Sequence, residues 1–134
     1  MAIRYRINKR TNTIAETKKE QFIMQAVNTG TIDIRRIAEE ISTEGSLSIP
    51  DVIGVITALG IKMKQHLLDG KIVDLSDVGK FKIGFQCKAA DEAKELTPKK
   101  NIKKFHLNYQ PSLEMKHYLK KGITIYKEGS RSTD

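Results

Sequence analysis

Four lysines and no acid fall within Thr97-Pro98-Lys99-Lys100-Asn101-Ile102-Lys103-Lys104. Ammonium groups at that density suit one kind of chemistry: neutralising closely spaced anionic groups, such as phosphates, with release of a counterion at each one met. A solvated hairpin tip is the plain alternative. Material for bond-making chemistry is poorer. His66, His106 and His117 fall on what read as a helix, a strand and another helix, without the spacing of metal ligands. Cys87 is the only cysteine, so no disulfide framework or zinc pattern is available, and its place in the alternation of its strand marks it as a core residue. No glycine-rich phosphate loop or nucleophile motif occurs. The sequence therefore predicts no enzyme, no metal, no cofactor and no small-molecule substrate.

The lysines need elements to position them, and the stretch from Gly70 to Tyr109 supplies these. Lys71–Leu75 and Lys80–Cys87 read as strands joined by a turn at Ser76-Asp77-Val78-Gly79. Phe81, Ile83, Phe85 and Cys87 alternate with Lys80, Lys82, Gly84 and Gln86, a period of two that puts the apolar set on one face and Lys80 and Lys82 on the other. Residues 88–104 form a long charged arm, and Phe105–Tyr109 alternates again as the returning strand.

Two helices precede this stretch. Ile34, Ile37, Ala38 and Ile41 follow a cap at Thr31 or Asp33, and this helix ends near Ser42. A second helix starts at Ser48 with Pro50 in its first turn and runs to Asp69-Gly70. Its stripe of Val52, Ile53, Ile56, Leu59, Met63, Leu67 and Leu68, flanked by Val55, Ala58 and Ile61, predicts burial on two sides. Gly54 and Gly60 each cost roughly 1 kcal/mol in a helix interior and read as points of close helix–helix approach, with simple tolerance as the alternative. After the arm comes a short helix, Leu113–Lys121, stopped by Gly122. Ile123–Tyr126 then forms a strand with no evident partner except the N-terminal hairpin. That hairpin is predicted from residues 2–8 and 21–27, with a basic turn through Lys9–Asn12; a helix over 17–27 is the other reading. Residues 128–134 read as a frayed tail.

At 134 residues, with 39% hydrophobic and 6% aromatic residues and no Trp, the chain predicts one domain with a modest aliphatic core, to which a second copy could add. No apolar run reaches the length of a membrane span, and the N-terminus lacks a signal-peptide stretch, so a cytoplasmic protein is expected. The net charge of +8 is unevenly spread. Residues 1–19 carry six basic groups against Glu16, and residues 88–105 six lysines against Asp91, Glu92 and Glu95, whereas residues 31–77 are net acidic. Such asymmetry suits a polyanion held by projecting parts.

The order helix, helix, hairpin, basic arm, returning strand, short helix resembles the HU and integration host factor family of bacterial nucleoid proteins. The matching residues are Gly70-Lys71-Ile72-Val73-Asp74-Leu75, Val78-Gly79-Lys80-Phe81, and Pro111–Lys120, together with the interval from Pro98 to Pro111. The resemblance covers roughly residues 31–121. Three features depart from it: the tip reads Leu96-Thr97-Pro98-Lys99-Lys100-Asn101, the outgoing limb carries Asp91, Glu92 and Glu95, and residues 1–30 are an addition similar to that of an HU-related branch with an N-terminal β extension, of Bacteroides type.

The resemblance implies an α+β, HU-like intertwined dimer. Two N-terminal helices, an antiparallel sheet with a long basic β-arm and a short C-terminal helix would be joined by an N-terminal β-hairpin extension. The whole of 1–134 would then be a single HU-like domain, with an extension over 1–30, a core over 31–127, an arm over about 88–104 and a flexible tail over 128–134. The implied partner is double-stranded DNA, bound with little sequence specificity and bent or compacted by a nucleoid-associated homodimer. Candidate DNA contacts are Lys80, Lys82, Lys88, Lys94, Pro98, Lys99, Lys100, Lys103 and Lys104, with Pro98 as a wedge between base steps. The acidic trio would pair locally with Lys88 and Lys94. Arg4, Arg6, Lys9 and Arg10 are further candidates, although exposed arginine on a strand is equally ordinary. The candidate dimer core is Val52, Ile56, Leu59, Met63, Leu67, Phe81 and Ile83. A structural or protein-interaction module on the same fold is the main alternative. RNA binding is disfavoured by the lack of an aromatic platform among the lysines.

Overall fold

The computed structural model describes residues 2–12 and 19–129, and the chain divides into two compact units, 34–116 and 1–33 with 117–134. In the first unit, helix α1 (Ile34–Glu44) and helix α2 (Ile49–Leu68) pack on each other. Ser48 caps α2: its Oγ accepts a hydrogen bond from the Asp51 amide at 3.3 Å, satisfying a donor that has no partner within the helix. Pro50 stands in the first turn, where its missing N–H costs nothing. At the other end Gly70, at φ +82°, turns the chain toward the sheet.

Strands β3 (Val73–Asp74), β4 (Lys80–Cys87) and β5 (Ile102–Gln110) form an antiparallel sheet in that order, with α2 packed on β3 and β4. Between β3 and β4 the chain reverses tightly. The Asp74 carboxylate accepts from the Ser76 amide at 2.9 Å, and the Tyr109 hydroxyl donates to the Val78 carbonyl at 2.7 Å. Gly79, at φ +124°, is required: a Cβ there would lie 2.6 Å from both the Gln110 carbonyl oxygen and the Tyr109 ring.

The β4–β5 register pairs Phe81 with Tyr109, Ile83 with Leu107 and Phe85 with Phe105, so one face of the hairpin is wholly apolar. The outer two pairs bring rings together, with centroids 5.1 Å and 6.0 Å apart. The register slips between Gln86 and Cys87, leaving Lys103 as the extra residue of a bulge. Cys87 is exposed, not a core residue as its parity suggests: it keeps to the side of Phe85, but the apolar face is uncovered at this end of the ladder, where Phe85 and Phe105 are exposed as well.

Within one chain the core is thin. Ala38, Val52 and Leu67 are its only buried apolar residues among those described, and no large side chain is fully buried. Of the residues expected at a dimer core, Val52 and Leu67 are already covered by the chain itself; Ile56, Met63 and Phe81 are half-buried, and Leu59 and Ile83 exposed. An added Cβ at Gly54 or Gly60 would meet nothing within 4 Å, so neither glycine marks a close helix approach inside the chain.

In the second unit β1 (Ala2–Asn12) is the central strand, antiparallel to β2 (Lys19–Val27) and parallel to β6 (Thr124–Lys127). Residues 19–27 are thus strand, not helix. Lys9–Asn12, expected as a turn, extend β1 through pairing with Phe22 to Lys19; the connection falls outside the described residues. β6 pairs with the hairpin, the partner its position left open. Helix α4 (Leu113–Lys121) runs across the division between the units and ends where the Gly122 amide bonds the Tyr118 carbonyl at 2.8 Å.

Glu128, expected in the frayed tail, is fixed instead. Its amide donates to the Tyr5 carbonyl at 2.8 Å, and its carboxylate accepts from Arg6 Nε and Nη2 at 2.6 and 2.7 Å. Residues 130–134 lie outside the described residues. The hydrogen bonds from Arg6, followed by its positive charge, hold the Glu128 carboxyl below its ordinary value of 4.5. A carboxyl depressed in the folded state stabilises that state above its unfolded value, and the contribution is lost as pH falls through the lowered folded value. Wild type and Glu128→Gln should therefore differ slightly in urea midpoint at pH 7 and converge in acid, once the Glu128 carboxyl is protonated in the folded state; equal midpoints at pH 7 would remove the bridge from the account. The effect is small because the pair is exposed and screened.

Candidate nucleic-acid interface

Because Phe81, Ile83 and Phe85 share one face, the alternation sends Lys80, Lys82 and Gln86 to the other, and the register brings Gln110, Asn108, His106 and Lys104 beside them. This polar face is continuous along the hairpin. Gly84 sits at its middle, where a Cβ would come within 2.9 Å of the His106 ring and 3.4 Å of the Asn108 amide. Glycine here lets the two polar side chains lie across β4. Lys80 and Lys82 are exposed, and Lys80 has only a distant carboxylate neighbour, Asp74 at 4.0 Å.

Beyond the ladder, residues 88–101 form a compact loop instead of continuing as paired strands. Ala93–Glu95 makes one turn of 3₁₀ helix, and Pro98–Asn101 forms the single helical turn α3 with Pro98 leading it. Asn101 holds this loop closed and is the one buried polar residue among those described. Its Oδ1 accepts from the Thr97 amide at 2.9 Å, and its Nδ2 donates to the Lys88 carbonyl at 3.0 Å. Its backbone carbonyl accepts from the Lys88 amide at 2.6 Å. One side chain thus spans the base of the loop from the outgoing to the returning limb. Sequence reasoning passed over Asn101 because it stands among lysines; the signal was an amide placed just after a Thr-Pro helix start, where such a side chain can close a turn.

The loop displays Lys88, Lys94, Lys99 and Lys100, and the start of β5 adds Lys103 and Lys104; all six are exposed. Glu92 pairs with Lys94 at 3.2 Å, one part of the local pairing expected of the acidic trio; among the described residues no ion pair joins Asp91 or Glu95 to a lysine. Among the described residues no ion pair joins Lys88, Lys99, Lys100, Lys103 or Lys104 to an acid. Pro98 is exposed and, with Leu96, Phe85, Cys87 and Ile102, borders a shallow, mostly apolar depression. His66, His106 and His117 stand on α2, β5 and α4, and no group of three or more His, Cys, Asp or Glu side chains suited to a metal occurs among the described residues. No helix among them is long and apolar enough to cross a membrane.

Two helices beneath a small antiparallel sheet, whose hairpin ends in a lysine-rich loop, define an α+β fold of the HU-like kind. The chain belongs to the HU-HIG family, described as an HU domain fused to wHTH, Ig, or glycine-rich motif, which matches residues 1–127. Among solved structures, it is similar to a Bacteroides vulgatus protein assigned as a bacterial DNA-binding protein, with a TM-score of 0.64 and 14% identity. The match covers 98% of this chain and 50% of that one, so the chain spans half the length of its structural neighbour. No curated protein matches the sequence.

Replacing Asn101 with Ala removes both side-chain bonds across the loop base and should cost about 1–2 kcal/mol locally. Hydrogen exchange at the Thr97 and Lys88 amides should accelerate while exchange in α2 stays unchanged; protection equal to wild type would show that Asn101 does not close the loop.

Proposed function

We propose that the chain is a homodimeric, histone-like architectural protein that binds duplex DNA with little sequence specificity and bends or compacts it in the nucleoid of the cytoplasm. The observation that carries this reading is the segregation of charge on the β4–β5 hairpin. Lys80, Lys82 and Lys104 share its polar face, and Lys88, Lys99 and Lys100 of the loop and Lys103 at the bulge of β5 have no carboxylate partners among the described residues. Family membership and the assignment of the structural neighbour support it. Binding would rest on phosphate neutralisation and DNA deformability. Pro98 and Leu96 at the tip offer the apolar surface that a wedge between base steps requires.

A second copy of the chain is the proposed occupant of the groove of about 450 Å³ formed by Met63, Leu67 and Leu68 of α2 with Ile83, Phe105 and Leu107 of the sheet. The supporting argument is physical. Val55, Ile61 and Leu68 on α2 and Phe105 and Leu107 on β5 are each more than half exposed, an apolar area that a lone chain leaves in water.

Anisotropy of a labelled, random-sequence duplex, titrated at several salt concentrations, tests the first part. Affinity should fall with salt along a steep log–log line, and changing Lys99, Lys100, Lys103 and Lys104 to Ala should flatten it by about 0.9 for each phosphate no longer neutralised. Absence of binding at low salt would refute the DNA reading and favour a protein-interaction role for the same fold. For the second part, Met63→Asp should convert the dimer to monomer or unfolded chain in sedimentation equilibrium; an undiminished dimer would refute the assigned interface.

A further inference from the structure

The register of the N-terminal sheet sorts the basic residues of β1 onto two faces. Lys9 stands on the side of Ile3, Tyr5, Ile7, Phe22, Met24 and Ile125, and pairs with Glu20 at 2.8 Å. Arg4, Arg6 and Arg10 stand on the other side. There the unbroken ladder sets Arg6 opposite Gln25 and Arg10 opposite Gln21, with Asn8 between them bonded to Gln25. β1 is the central strand, so these guanidinium groups rise from the middle of a sheet face, and residues two apart stand about 6.6 Å apart along it.

Two neighbours on β6 and its end set the state of this row. Arg4 lies over the Tyr126 ring, 5.8 Å from its centroid, and donates to the Tyr126 hydroxyl at 3.3 Å. Tyr126 therefore orients Arg4 without neutralising it. Arg6 is gripped by Glu128 through two nitrogen atoms, and Glu128 is the one carboxylate among the described residues on this face. Arg10 is exposed. Arginine forks held on a stiff strand match the bidentate geometry of phosphate oxygens, and the surrounding amides of Asn8, Gln21 and Gln25 can donate to the same groups.

We infer that this face, carrying Arg4, Arg6 and Arg10, is a second binding surface for the phosphate backbone of duplex DNA, and that Glu128 occupies Arg6 until a phosphate displaces it. The inference rests on the DNA-binding reading and adds to it a site remote in sequence from the lysine loop. A duplex is the fitting ligand because Tyr126, the face's only ring among the described residues, is covered by Arg4 and cannot stack on an unpaired base.

The same duplex titration, on the full chain, decides it. Arg6→Gln with Arg10→Gln should lower the log–log salt slope by up to about 2 per chain, roughly 0.9 for each phosphate released from its arginine. Glu128→Gln should do the opposite and tighten binding about two- to threefold, a size suited to releasing an exposed ion pair; its main-chain bond to Tyr5 remains, so β6 stays anchored. A gain of affinity cannot come from a misfolded sheet. An unchanged slope in the arginine variant, or an unchanged affinity in Glu128→Gln, overturns this surface while wild-type binding and its weakening in the lysine variant leave the DNA reading standing. Failure of wild type to bind overturns both.

Discussion

Burial is the constraint on which the first unit depends, because the chain holds more apolar surface than it can cover. α2 is apolar around most of its circumference, yet only Val52 near its start and Leu67 near its end are buried. The sheet offers it one face, built from Phe81, Ile83 and Phe85 with their partners Tyr109, Leu107 and Phe105. Everything polar on the hairpin follows from that choice. Once the aromatic pairs take the apolar face, the period of two leaves Lys80, Lys82 and Lys104 no position but the other, so packing and charge display are consequences of one register. A slip of one residue would send the lysines inward and the rings into water.

The loop beyond the ladder obeys a different rule. It has few apolar residues to bury, so hydrogen bonding, not packing, gives it shape. Asn101 supplies both an acceptor and a donor, set on separate atoms of one planar amide, so Oδ1 bonds the returning limb at Thr97 while Nδ2 bonds the outgoing limb at Lys88. Its closure gathers the lysines on a small body instead of stringing them along a ribbon.

Much of this was legible in the sequence, and the unread parts share physical causes. Periodicity located β4 and α4 at their observed ends, and the Ser48–Pro50 start of α2 was readable because cap chemistry is local. The exposure of Cys87 was not, since alternation tells which face a residue takes but not whether anything covers that face, and Phe85 and Phe105 beside it are exposed too. Gly54 and Gly60 suggested close approach, but glycine in a helix signals absent bulk without saying whether a neighbour uses the space. The length of β1 was hidden by Lys9-Arg10-Thr11-Asn12, whose turn propensity yields to cross-strand pairing. Glu128 was assigned to a tail because its partner, Arg6, lies at the far end of the chain. On the polar face of the hairpin, Lys80 and Lys82 were readable from alternation, whereas Lys104, His106 and Asn108 join them only through the register.

The pairing of Ala2 with Thr124 also fixes when the second unit can form. The β1–β2 hairpin is local and can close within microseconds. The parallel ladder to β6 must join points separated by nearly the whole chain, and for a flexible chain of that length the closure entropy is about 4 kcal/mol. Four residue pairs on a surface sheet offset little of that. The ladder becomes favourable once the intervening residues have folded and shortened the effective loop, so β6 is a late addition to the folding sequence. During synthesis, β1 and β2 stand without their third strand until Thr124–Lys127 have emerged.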